Sequence, residues 1–177
     1  MAITPDTKNW TWVLERACPQ CGFDAVAFDV AQTGAAIRDV GGRFASLLDE
    51  IDEAEARRRP NDETWSLLEY GCHVRDVLRL GELRLHLMLD RDDPLFANWD
   101  QDATAIDERY GEQDPRVVAG EIASAATTFA AAYDAVTAEQ WQRAGVRSDG
   151  ARFTVDSFAR YFLHDPIHHL YDVGAPR

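Results

Sequence analysis

Two histidines four residues apart, His164 and His168, stand in a segment of helical periodicity. Their imidazoles therefore leave one helix face a turn apart and can grip a single ion. A third, His73, shares an apolar stripe with Tyr70, Val77 and Leu80, which turns it inward in any bundle built on that stripe. Buried imidazoles need partners for their nitrogens. A divalent cation supplies one directly; hydrogen-bonded core or surface histidines are the plain alternative. Three neutral nitrogen ligands with a position left open describe a catalytic rather than a closed structural zinc site. His73, His164 and His168 are thus the candidate ligands of one divalent metal ion.

Carboxylates stand near these positions. Asp76 lies one turn after His73, and Asp165 and Asp172 flank the final pair, so each is a candidate to orient an imidazole N–H, although so acidic a chain carries surface carboxylates anyway. Pro166 sits between the paired histidines, where it frees the carbonyl of Phe162 and predicts a kink. A kink would tilt His164 relative to His168 and makes His169 an adjacent candidate. Tyr161 and Tyr171 are either donors to a substrate or core aromatics, and His86, with Arg84 and Asp90, reads as a surface histidine. The segment Cys18-Pro19-Gln20-Cys21-Gly22 has zinc-knuckle spacing, but no second Cys-x-x-Cys exists to complete four ligands. A structural turn is the first reading of it, redox or metal chemistry the second. Cys72 reads as a small buried residue, because it points about 100° away from His73 on a helix.

The elements that must position these residues are helical. Apolar residues at Ala36, Ile37, Val40, Phe44, Leu47, Leu48 and Ile51 mark an amphipathic helix over about 30–58, weakened by Gly41 and Gly42 and closed by Pro60. Arg57, Arg58 and Arg59 suit its C-terminus. Ser66 and Glu69 form a capping box that opens a second helix, running apolar through Leu67, Val74, Leu78, Leu85 and Met88. Residues 90–114 read as a long connection with at most one short helix. Asp114 as cap and Pro115 at the first position start a third, alanine-rich helix reaching about Val136. A Gly-containing loop leads to the last helix, from about Thr154 to Val173, ended by Gly174 and Pro176. The expected fold is all-α: a four-helix bundle over about 30–174 within one domain, preceded by an irregular or short-strand extension (residues 1–28) and carrying a long loop between helices 2 and 3.

Composition narrows the partners. With 46% hydrophobic residues, the 177-residue chain can bury a core without staples. A formal net charge of −13, from 31 acidic against 18 basic side chains, opposes binding to nucleic acid or to an anionic membrane surface. No stretch approaches the roughly 20 apolar residues of a membrane span, and the N-terminus lacks the pattern of a signal peptide, so a cytoplasmic location with reduced thiols is expected. Whether apolar bundle faces pair into a homodimer is left open.

The run Thr64-Trp65-Ser66-Leu67-Leu68-Glu69-Tyr70-Gly71-Cys72-His73, followed by Phe153-Thr154-Val155 and then His164-Asp165-Pro166-Ile167-His168, resembles the DinB-like metal-binding superfamily over about residues 30–173. The superfamily is related to thiol-dependent S-transferases and to the N-terminal domains of maleylpyruvate isomerases. The resemblance places His73, His164 and His168 on the family's three ligand positions. It implies a four-helix bundle holding zinc, nickel or a similar ion, with water in the remaining positions. Because some relatives use mycothiol or bacillithiol, it also implies a metal-dependent transferase with a low-molecular-weight thiol as co-substrate. A metal-dependent hydrolase and a non-catalytic metal or small-ligand module of a stress response are the alternatives. Pocket shape separates them: a roomy cleft with cationic walls favours transfer chemistry, and a sealed site favours a structural ion.

Overall fold

The computed structural model describes residues 9–175. Helix α1 (Thr33–Glu50) opens from a 3-10 turn capped by Asp29 and ends where Ile51 turns extended. Asp52 then accepts from the backbone N–H of Ala54 and restarts a short α2 (Glu53–Ala56). The single helix expected over 30–58 is therefore two. Gly41 is buried in α1, and a Cβ placed there would lie 2.4 Å from the Cβ of Ala126. The glycine that weakens the helix locally is what lets α1 approach the third long helix.

Helix α3 (Leu67–Asp90) begins with the predicted capping box of Ser66 and Glu69, which Arg59 extends through hydrogen bonds to the Glu69 carboxylate. Of the arginine cluster, Arg57 and Arg58 pair with Glu53 and Glu55 within their own turn. The long connection holds strand β1 (Leu95–Phe96), helix α4 (Gln101–Asp107) and a 3-10 turn at Tyr110–Glu112. Helix α5 (Pro115–Asp134) starts on Asp114, whose side chain accepts from Arg116 and Val117. Helix α6 (Val155–Asp172) has its own capping box, Thr154 with Ser157, and continues through Pro166.

The helices α1, α3, α5 and α6 form the bundle, with Ile37, Phe44, Leu48, Leu78, Ile122, Phe129 and Phe158 in its core. All-α is only approximate. Strands β2 (Ala144–Arg147) and β3 (Arg152–Thr154) pair antiparallel where a loop was expected, and β1 joins β2 in parallel. This small sheet buries Phe96 and Phe153 against Phe158.

The N-terminal extension lies along α6. Trp10–Leu14 make a 3-10 turn capped by Asn9, and no strand forms among the described residues before α1. Arg160 on α6 donates to the carbonyls of Ala25 and Phe28, both at 2.6 Å, and so ties the extension to the bundle.

Candidate metal centres

Helix α6 carries two i, i+4 pairs offset by one residue: His164 with His168, and Asp165 with His169. Successive helical positions diverge by about 100°, so the two pairs look toward different neighbours. His73, His164 and His168 are all buried, His73 as its apolar stripe requires. Their grouping follows the rotation of α6. His73 meets Asp165 and His169, while His164 and His168 meet Cys18 and Cys21 of the extension. The candidate ligands thus form two groups, and within each the ligand atoms lie within 4.8 Å of one another.

In the first group, Nε2 of His73 lies 3.3 Å and Nε2 of His169 lies 3.6 Å from the same oxygen, Oδ1 of Asp165. Two imidazoles converging on one carboxylate oxygen are what a small cation could bind together. The His73 ring stacks on Trp99, with centroids 5.3 Å apart, and is flanked by Trp65, so the segment before the α3 cap and the long connection hold it fixed. Burial opposes the charge of Asp165, but His73 and His169 outweigh it and hold the carboxyl well below the usual range. The Nδ1 of His169 lies 2.8 Å from Oδ2 of Asp172. That contact fits the outer carboxylate of a metal-bound imidazole.

In the second group, Sγ of Cys18 lies 3.6 Å from Nδ1 of His168. Burial, followed by the charge of His168, pushes the His164 imidazole down to about 4, so it is neutral at ordinary pH. Its Nε2 is buried with no hydrogen-bond partner among the described residues, as is Nδ1 of His73. Cys18, Cys21 and Cys72 are free thiols. Burial pushes the Cys21 thiol up to about 11.

The remaining candidates fall elsewhere. Asp76 does not face the imidazoles: Arg75 holds both its oxygens, and the Tyr110 hydroxyl donates to it at 2.6 Å. His86 is exposed beside Glu82, as expected. Cys72 is buried with its thiol pushed up to about 12 by burial, consistent with a core residue. Tyr171 is exposed, whereas Tyr161 accepts a hydrogen bond from Arg147 at 3.0 Å.

A cleft of about 590 Å³ borders both groups. His164, Asp165, His168 and His169 line it, together with Trp10, Trp99, Arg84 and Arg147. Arg84 is buried and donates to the carbonyl of Ala97 at 2.7 Å. Burial and then the neighbouring Arg147 push its guanidinium down to about 10. Sequence reasoning missed these two arginines, because nothing in the local pattern distinguishes a cleft arginine from a surface one. It also missed Cys18 and Cys21 as companions of the paired histidines.

Four long helices and two groups of side chains of metal-ligating type, one between α3 and α6 and one between α6 and the extension, define a helical-bundle protein with candidate metal centres. The chain belongs to the DinB superfamily, which it matches over residues 36–173. Among solved structures it is similar to YfiT from Bacillus subtilis, described as a probable metal-dependent hydrolase with an unusual four-helix bundle topology. The two share 15% identity with a TM-score of 0.73, over 82% of this chain and 84% of that one, a likeness of fold. No curated protein matches the sequence. No helix among the described residues is long and apolar enough to cross a membrane.

Proposed function

We propose that the chain is a metal-dependent enzyme of the thiol-transferase type, with His73, Asp165 and His169 holding a divalent ion of the zinc or nickel class. The observation that carries this reading is the convergence of two histidine Nε2 atoms on Oδ1 of Asp165, beside a cleft large enough for a small molecule. The donor set fits such an ion: two imidazoles, one carboxylate, and access from the cleft on the side of Asp165 and His169. When bound, the ion would lower the pKa of a thiol or water in its open position and so supply a nucleophile at neutral pH.

The chain's own residues supply the rest. With its proton on Nδ1, toward Asp172, His169 would present Nε2 to the ion. Trp99 and Trp65 clamp the His73 ring and exclude water around it. In the cleft wall Arg147 pairs with Asp149, whereas Arg84 donates to a backbone carbonyl and is the cation suited to an anionic group on the thiol or on the acceptor. An open cleft with Arg84 in its wall favours transfer chemistry over a purely structural ion.

The ligand set supports a second reading. Two histidines and one carboxylate around an open position also suit hydrolysis by a bound water, and YfiT, the similar fold, is described as a probable metal-dependent hydrolase. The test is to reconstitute the protein with zinc or nickel and to follow conjugation of mycothiol or bacillithiol to an electrophile, beside hydrolysis of simple esters and amides. Thiol conjugation that needs the metal and is abolished by His73→Ala supports transfer. Hydrolysis with the same dependence and no thiol turnover supports the second reading. Metal-independent turnover, or turnover unaffected by His73→Ala, sinks both.

A further inference from the structure

We propose that Cys18, Cys21, His164 and His168 form a second metal site, a closed four-coordinate Cys2His2 centre for a zinc-class ion that staples the N-terminal extension to α6. It is independent of the proposed reaction at His73, Asp165 and His169.

Four ligating side chains from opposite ends of the chain bring their donor atoms within 4.8 Å of one another. Two cysteines and two histidines are the donor set of structural zinc, which is tetrahedral and leaves no open position. With Zn–S of about 2.3 Å and Zn–N of about 2.0–2.1 Å, a tetrahedron has an S···N edge of about 3.5–3.6 Å. The Cys18 Sγ to His168 Nδ1 separation is 3.6 Å. That single contact would also suit a thiol–imidazole hydrogen bond, but such a bond leaves Nε2 of His164 buried and unsatisfied. An ion coordinated by all four residues relieves it.

The backbone around the cysteines is shaped for the purpose. Gly22 N–H donates to the Cys18 carbonyl at 2.9 Å and Cys18 N–H donates to the Phe23 carbonyl at 2.9 Å, closing a tight turn that sets both thiols on one side. Gly22 takes φ of +77° there, a conformation that a side chain would strain. On the helix side, Nε2 of His168 lies 3.6 Å from Oδ1 of Asp172, as an outer carboxylate would sit behind a ligating imidazole. The Trp10 ring centroid stands 5.3 Å from those of both His164 and His168 and screens the group from water. Because Asn9 and Trp10 also line the cleft, the staple fixes one of its walls.

The test uses metal-free full-length protein titrated with cobalt(II), whose bonds to thiolate sulfur give a near-ultraviolet charge-transfer band. The band is expected in wild type, displaced by zinc, absent in Cys21→Ser and retained in the double variant His73→Ala/His169→Ala. Cys21 is only partly buried, so its serine variant should keep wild-type helical circular dichroism. Wild type alone gives a second readout: chelation should speed tryptic cleavage after Arg16 roughly tenfold or more, and zinc should restore protection. Three results would overturn the proposal: no thiolate band in wild type, a band undiminished by Cys21→Ser, or a Cys18–Cys21 disulfide that forms in glutathione buffer despite added zinc. Loss of the band in Cys21→Ser with no loss of metal in the double variant would uphold this site and count against the His73 group alone.

Discussion

Oδ2 of Asp172 lies 2.8 Å from Nδ1 of His169, while Oδ1 of the same carboxylate lies 3.6 Å from Nε2 of His168. One side chain therefore stands behind an imidazole of each ligand group. Asp172→Asn keeps the shape but weakens the acceptor, and outer carboxylates of this kind typically matter by about 10- to 100-fold in metal affinity. The expected outcome is a loss of that order at both sites with unchanged helicity, read by competitive zinc titration. Weakening at neither site would show that Asp172 is only a helix-terminal acid.

Arg84 is a buried cation whose side chain donates to a carbonyl and, among the described residues, to no carboxylate. Its desolvation is a cost to the fold, and Arg84→Met is expected not to lower Tm. If the cleft binds an anionic group, the same variant loses a charge-assisted hydrogen bond of about 1.5–3 kcal/mol, or roughly 10- to 100-fold in KM, with kcat little changed. A steady-state comparison beside a thermal melt checks both halves.

Glu69 ties the start of α3 to Arg59. Burial opposes its charge, but the Arg59 and Ser66 hydrogen bonds outweigh that and hold the carboxyl below the usual glutamate range. A folded-state pKa below the unfolded one contributes stability above the unfolded value and loses it as pH falls through the folded one. Wild type should therefore lose stability on acidification below the ordinary glutamate range, and Glu69→Gln should flatten that part of the curve. At neutral pH a glutamine can still accept from the Ser66 backbone, so the variant loses mainly the charge assistance of the Arg59 hydrogen bonds, about 1–2 kcal/mol, or a Tm lower by roughly 2–8 °C.

Adjacent glycines in α1 should respond in opposite directions. At Gly42 a Cβ meets nothing within 4 Å, so Gly42→Ala should stabilise by up to about 1 kcal/mol through helix propensity. At Gly41 the new methyl would overlap Ala126, and overpacking of about 1–3 kcal/mol outweighs the same propensity gain. Urea midpoints of the two variants, one above and one below wild type, are the expected result.

Much of the fold was legible because it is locally determined. Ser66 with Glu69 and Asp114 with Pro115 begin helices where their chemistry says they should, since a cap acts within one turn. The missed elements have local signals that compete with longer ones. Asp52 recaps the chain inside an apolar period, and Asp149-Gly150 turns a hairpin between strands too short to show alternation. The candidate ligands were legible as residue types, and His164 with His168 as a pair. Even the Cys-x2-Cys and His-x3-His spacings stood in plain view, but at opposite ends of the chain, where nothing local joins them.

The sequence by itself determined the long helices and the caps of α3 and α5, which act within one turn, and also the inward stripe that buries His73 and the two i, i+4 pairs on α6, which follow from a fixed rotation of about 100° per residue. Only the tertiary structure decided which pair meets which partner. The rotation of α6 about its axis is set by packing Phe158 and Phe162 into the core and by the Arg160 clamp on the extension. That rotation turns Asp165 and His169 toward His73 and leaves His164 and His168 facing Cys18 and Cys21.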